Sequence, residues 1–236
     1  MIQSQLQNDP TALFRKAWSL YDAITERNYM NHCELYAHVA ERLRQRYDAN
    51  ASYSLLDLGC GNARFLAACL REAPPQRYEG VDLSAAALEE AHTCLGDLPN
   101  VTLHQQDMLE AAHAAAPACD VIFSGFAMHH LDAEAKQRLF HACAARLATR
   151  GCFILVDVMR KEEQTREDYL ADYLHFMRTQ WITLPPEHLE EACAHVATFD
   201  FPETLSNLSR MAHRAGFART EVLAQHGAHH ALCFHL

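Results

Sequence analysis

Basic residues are scarce relative to acidic ones. Twenty Lys and Arg stand against 30 Asp and Glu in 236 residues, a formal net charge of −10. A surface of that sign repels a phosphate backbone, and no long Lys/Arg run offsets it, so nucleic acid is not the expected partner. No stretch approaches the ~18 consecutive apolar residues of a membrane span. The opening residues, MIQSQLQNDP, lack the basic-then-apolar order of a secretory signal. CxxC spacing is also missing. The nine cysteines, at 33, 60, 69, 94, 119, 143, 152, 193 and 233, are evenly spread and odd in number. That pattern excludes both a zinc framework of paired cysteines and a small disulfide scaffold. The expectation is a cytoplasmic protein with reduced, mostly buried thiols.

Apolar residues are plentiful. They make up 50% of the chain, enough for a sizeable core. Residues 11 to 47 have helical spacing, with Leu13, Phe14, Trp18 and Tyr21, then Leu35, Val39 and Leu43, and a break at Asn28 to Asn31. From residue 52 the rhythm changes to short apolar runs separated by helical stretches. The runs are Tyr53 to Leu58, Tyr78 to Leu83, Val101 to His104, Asp120 to Ser124 and Cys152 to Val158. Between them, helices are predicted from about Ala63 to Glu72, from a Ser84 cap, and from an Asp132 cap. In the last of these, Ala135, Leu139, Cys143 and Leu147 share a face, and Gly151 closes the region.

Buried strands alternating with helices predict an α/β fold with a parallel sheet covered on both faces. Residues 161 to 200 break the rhythm and read as an inserted helical cap, too long for an ordinary loop. A helix from Pro202 to Ala215, C-capped by Gly216, and strands near Phe217 to Ala224 and His229 to Leu236 return to the sheet pattern. The expected division is therefore 1–50, N-terminal helices; 51–160, an α/β core; 161–200, the cap; and 201–236, which completes the core.

The stretch SLLDLGCGNARF, residues 54 to 65, carries the sharpest signal. Gly59 and Gly61, between a strand and a helix, allow a tight turn and close backbone approach to a ligand. A dinucleotide site wants a third glycine three residues after the second, where this chain has Arg64. Asp57 at the strand end would repel a pyrophosphate and suits a cationic ligand instead. Asp82 follows Gly61 by 21 residues, a spacing at which a carboxylate can accept both hydroxyls of a ribose. Asp107 ends the third strand region, with Met108 beside it, positioned to meet an adenine ring.

These pieces resemble the class I S-adenosylmethionine-dependent methyltransferases. LLDLGCGNARF, GVDLS, QQDM, DVIFSGFAMHHL and GCFILVDV occur in family order and spacing over about residues 54 to 158. The resemblance implies a doubly wound, Rossmann-like sheet of seven strands, mostly parallel, the last antiparallel. It implies S-adenosylmethionine as cofactor, with Asp57, Gly59, Cys60, Gly61 and Asn62 around its methionine part. Asp82, Leu83 and Ser84 would serve the ribose, Asp107 and Met108 the adenine, with Ser124 beside the cofactor. Tyr21 and Tyr29 resemble tyrosines that close over the cofactor in such enzymes, although packed helix residues are the even alternative.

A hydroxyl acceptor benefits from a base; a thiolate or free amine can do without one. His129, His130 and Asp157 are the catalytic candidates, weighed against a packing role for either histidine and a capping role for the carboxylate. In the cap, Tyr169, Tyr173, His175, Phe176 and Trp181 could line an acceptor pocket or form the cap's own core. Adjacent residues on a strand point to opposite faces, so the pairs His129-His130 and His229-His230 are expected to bind no metal. The leading reading is methyl transfer to a small-molecule acceptor at O, N or S, with no nucleic acid and no membrane, and a homodimer left open. Two alternatives keep the cofactor: an enzyme like carboxy-S-adenosylmethionine synthase, with Arg178 or Arg210 holding a carboxyl donor, or a non-catalytic regulator.

Overall fold

Successive residues of the central strands face two different cores. In the computed structural model, which describes residues 21, 23–47 and 52–236, Leu55, Val121, Phe123, Ile154 and Val156 enter one apolar cluster. Their neighbours Leu56, Ile122, Phe153 and Leu155 enter the other. Strands buried on both faces need continuous apolar runs, which explains the lack of polar alternation in the sequence.

The seven strands are β1 (Ser54–Leu58), β2 (Arg77–Asp82), β3 (Val101–Gln105), β4 (Cys119–Gly125), β5 (Leu147–Val158), β6 (Arg219–His226) and β7 (His229–His235), ordered β3-β2-β1-β4-β5-β7-β6. β1 pairs parallel with both β2 and β4, so the winding reverses at that point and opens a crevice beyond the carboxyl ends of the two strands. β7 runs antiparallel between β5 and β6.

Helices α1 (His32–Arg46) and α2 (Arg64–Leu70) cover the face of the first core. On α1, Leu35, Val39 and Leu43 form one buried line at four-residue spacing. The break expected before it is a turn in which Asn28 and Asn31 hold positive φ. Leu13, Phe14 and Trp18 lie outside the described residues. Ser84 caps α3 (Ala85–Cys94) by accepting from Ala87 N–H. Asp107 caps α4 (Met108–His113), and Asp132 caps α5 (Ala133–Arg146) through Ala135 N–H.

Two boundaries differ from expectation. Leu147 does not extend the face of α5; the helix stops at Arg146, and Leu147 pairs with Cys119 as the first residue of β5. The register then jumps to Val121↔Cys152, so residues 148–151 bulge out and Arg150 takes φ +68. The last helix, here α8 (Leu205–Ala215), starts at a Thr204 cap rather than at Pro202. Residues just before it are held elsewhere: Glu203 bridges Met159, and its carbonyl accepts from Arg160 N–H. The chain leaves and rejoins the sheet layer at that clasp. Between its ends stand α6 (Arg166–Gln180) and α7 (Pro186–Phe199), which pack on each other.

Candidate functional site

The turn after β1 is shaped by its glycines. Gly59 and Gly61 adopt φ +74 and +52, and the N–H groups of Gly59 and Cys60 both donate to Val81 O at 2.9 Å. A Cβ on Gly59 would sit 2.5 Å from the Ala127 side chain and 3.2 Å from Met108 Cε. Asp82 is fixed from two sides: Gly61 N–H donates to Oδ2 at 2.9 Å and Ser84 N–H to Oδ1 at 2.8 Å. Each oxygen keeps a second lone pair for a ligand hydroxyl. Burial pushes the Asp82 carboxyl up, opposed by those backbone donors.

Asp57 is 2% exposed. Its Oδ2 accepts from Tyr78 O–H at 2.6 Å, while Oδ1 has no hydrogen-bond partner. Burial pushes this carboxyl up to about 7 against the Tyr78 hydrogen bond, with Asp82 adding to the rise. An unpaired, buried carboxylate oxygen is costly unless a cation or donor meets it.

Both carboxylates line a cavity of about 270 Å³. It is lined by the glycine turn, Asp57, Asp82 and Ser84 together with Tyr21, Tyr36, Phe65, Phe126, His130 and His195. Behind the wall His32 stacks on Phe65 and Phe126, with ring centroids 4.5 and 4.6 Å away. Its Nε2 stands 3.1 Å from the Tyr21 hydroxyl oxygen, and burial lowers its pKa to about 3.

Residues 55–151 match a family described as a methyltransferase domain. Over those residues the chain is similar to methyltransferases. Among curated relatives, a malonyl-(acyl-carrier protein) O-methyltransferase from Halalkalibacterium halodurans is 32% identical over 127 residues, 50% of this chain and 44% of that protein. Malonyl-(acyl-carrier protein) O-methyltransferase 1 from Ilyobacter polytropus is 28% identical over 116 residues, 49% of this chain and 42% of that protein. The matches thus span less than half the length of those relatives. An O-methyltransferase family protein from Burkholderia thailandensis shares the fold with a TM-score of 0.66 at 16% identity, covering 99% of this chain and 62% of that one. The O-methyltransferase family 2 protein from Planctomyces limnophilus, solved with apigenin, gives 0.66 at 17% identity, covering 96% and 62%.

A second polar group adjoins His130. His129 Nδ1 lies 2.5 Å from Asp157 Oδ1, and its Nε2 faces Asp200 Oδ1 at 3.6 Å. Burial opposes charge on His129, but Asp157 and Asp200 outweigh it and push the ring up to about 9. Burial, with His129 and His195 alongside, lowers His130 and keeps it neutral. Burial raises Asp200 to about 6 against the pull of His129. Nearby, Lys136 is 1% exposed and donates to the Phe201 carbonyl.

Of the residues singled out in the sequence, Tyr21, Asp57, Gly59, Cys60, Gly61, Asn62, Asp82, Ser84 and His130 meet at the cavity. The others do not line it. Leu83 is 52% exposed, and Asp107 accepts from Leu109 and Glu110 N–H as a helix cap. Met108 packs against the second core, near Gly59. Ser124 is fully buried and donates to Leu58 O at 2.8 Å, joining β4 to the end of β1. His129 and Asp157 stand behind His130, where the His129 and His130 rings are 4.0 Å apart.

Of the aromatic and histidine candidates at 169–181, Tyr169, Tyr173 and Trp181 are core, whereas His175 and Phe176 are exposed. Tyr169 and Tyr173 stack at 5.2 Å, and Trp181 stacks on Tyr29 at 5.2 Å. Neither Arg178, paired with Glu190 at 3.0 Å, nor Arg210, which donates to Asn207, lines the cavity. Tyr36, Phe126, His195 and Asp200 are the residues that sequence reasoning missed. The last two come from the far end of α7 and its C-cap, some 70 residues from His130, with no spacing signal to connect them.

The histidine pairs differ from each other. His129 and His130 occupy a 3₁₀ turn (Met128–His130), not a strand, so the opposite-face argument does not apply and both rings approach Asp200. His229 and His230 do lie on a strand, β7. His229 meets Tyr173 O–H and Asn31 Oδ1, while His230 contacts Ala228 O.

Proposed function

We propose that the chain transfers a methyl group from S-adenosylmethionine to an oxygen of a small molecule, which enters at the His130–His195 end of the cavity. The observation that carries this reading is the unpaired oxygen of buried Asp57, beside a glycine turn and facing the same cavity as the clamped Asp82. A cation satisfies the first carboxylate and a diol the second, and the cofactor has both. S-adenosylmethionine supplies an electrophilic methyl on a sulfonium with a good leaving group.

The chain's residues then bind and orient. Asp57 compensates the cationic end, the Gly59–Gly61 turn lets backbone approach, and Asp82 accepts the ribose hydroxyls. Tyr21, beside His32, closes the wall. Tyr36, Phe65 and Phe126 exclude water along the path, so alignment of donor and acceptor supplies much of the rate. His130 and His195 offer imidazole nitrogens to the acceptor, and His129–Asp157 holds His130 from behind. The names of the curated relatives and fold neighbours favour oxygen as the acceptor atom. The carboxyl-donor alternative loses its support, since Arg178 and Arg210 are engaged away from the cavity.

The test is release of S-adenosylhomocysteine from S-adenosylmethionine with a panel that spans malonyl thioesters, phenols, amines and thiols. Turnover with an oxygen acceptor, abolished by Asp82→Ala, is expected. Turnover confined to amines or thiols would overturn the oxygen assignment, and no turnover with any acceptor class would overturn the enzymatic reading.

A further inference from the structure

We propose that His129, His130 and Asp200 form a binding site for a divalent transition-metal ion, zinc or a chemically similar ion, at the acceptor end of the cavity. Three observations carry it. The first is geometric. Among the described residues, His129 Nε2, His130 Nδ1 and Asp200 Oδ1 lie within 4.8 Å of one another. Asp200 Oδ1 is 3.6 Å from the first nitrogen and 3.7 Å from the second. Those separations are too long for hydrogen bonds. They approach the edge of about 3.4 Å expected between ligand atoms that share a tetrahedral zinc with arms of about 2.1 Å.

The second observation is an unmet need. Asp200 is 3% exposed, yet its Oδ1 makes no hydrogen bond. A buried carboxylate oxygen aimed at two imidazoles and bonded to neither is what a ligand set without its ion looks like. The third is the support behind it. His129 offers Nε2 forward because its Nδ1 is engaged by Asp157 Oδ1, the carboxylate–histidine arrangement that fixes a metal-binding tautomer. Together Asp157 and Asp200 match the two charges of such an ion. Imidazole donors select a zinc-like ion over magnesium or calcium, which prefer all-oxygen shells.

Three features compete with the ion. One is the proton that Asp157 and Asp200 favour on His129, which must leave Nε2 for the ion to bind. His130 Nδ1 lies 3.3 Å from Phe199 O, a long contact that binding would replace. Two cations also stand nearby: Arg166 donates to the Asp200 carbonyl at 2.7 Å, and buried Lys136 directs its ammonium to Phe201 O. Because His130 lines the cavity, with the His195 ring 5.3 Å from its own, an ion held here borders the acceptor. An acceptor oxygen coordinated to it would lose its proton more readily, which supplies what a general base otherwise would.

The site rests on these residues alone, and its test is independent of methyl transfer. Tag-free protein, stripped with chelator and dialysed, is titrated with Zn²⁺ by calorimetry and with Co²⁺ by visible absorption. The expected result is one tight site whose Co²⁺ bands report four-coordinate geometry with nitrogen ligands. Asp200→Asn and His130→Gln should each weaken Zn²⁺ at least hundredfold, and Asp157→Asn by about 10–100-fold. Circular dichroism and S-adenosylhomocysteine binding are measured on every sample. His130→Gln alters a partly exposed side chain and keeps the test valid if Asp200→Asn fails to fold. Absence of a stoichiometric site in the wild type, or full Zn²⁺ affinity in folded His130→Gln or Asp200→Asn, would overturn the proposal. Metal binding without S-adenosylhomocysteine binding would instead sink the cofactor reading and leave this one standing.

Discussion

Asp57 ties stability and cofactor binding to pH in opposite directions. In the unfolded chain its carboxyl ionises near 3.8; in the folded protein it does so at about 7. The folded state therefore holds this proton to higher pH than the unfolded state. Its contribution to stability is greatest below about pH 4, falls as pH rises to about 7, and is constant above that. Ionising the buried group costs about 4 kcal/mol relative to the unfolded chain. A cation placed against Oδ1 needs the ionised form. At pH 6 about one molecule in eleven is ionised, against about ten in eleven at pH 8, so affinity should be about tenfold weaker at pH 6.

Asp57→Asn keeps the shape and the Tyr78 partner but cannot ionise. It should bind S-adenosylhomocysteine without pH dependence between 6 and 8. At pH 8 it should bind roughly 10–100-fold more weakly than wild type, the value of a hydrogen bond to a charged group. It should also unfold at higher urea at pH 8, gaining up to about 4 kcal/mol. Calorimetry at pH 6, 7 and 8 with urea denaturation at pH 8 reads both quantities. Equal wild-type affinity at pH 6 and 8, or an Asn variant that binds as tightly as wild type at pH 8, would refute the reasoning.

Other perturbations separate structural from binding roles. Gly59→Ala should destabilise by about 2 kcal/mol or more, because the new Cβ meets Ala127 at 2.5 Å and φ is +74; unchanged urea stability would contradict that geometry. Ser124→Ala should cost about 1 kcal/mol in denaturation through its lost bond to Leu58 O while leaving S-adenosylhomocysteine affinity within twofold; a large affinity loss would mean that Ser124 touches the cofactor. Trp181→Ala should cost about 3–5 kcal/mol, since this 2%-exposed ring is core between the cap and Tyr29, and a near-neutral result would reopen a lining role.

The glycine turn and its two acids were legible because these parts are local. A turn that needs Gly59 and Gly61, an acid two residues before it and another at the end of the next strand all follow from how a parallel sheet presents its strand ends. The doubly wound sheet was legible for the same reason: strands such as β1 and β4, covered on both faces, leave unbroken apolar runs. The cluster around His130 was not. His130, His195 and Asp200 converge only because α7 folds back and Phe201 N–H donates to the His129 carbonyl at 2.8 Å, a long-range contact without a periodic trace. The His129-His130 pair misled for a local reason. The strand ends at Gly125, and the 3₁₀ turn that follows brings together rings that a strand would have separated.

The most direct test of the central claim is calorimetric binding of S-adenosylhomocysteine to the purified chain, beside NAD, with Asp82→Ala as control. The account predicts stoichiometric binding of S-adenosylhomocysteine, none of NAD, and loss of binding in the folded variant. Binding of NAD in its place, or no binding by the folded wild-type protein, would contradict it.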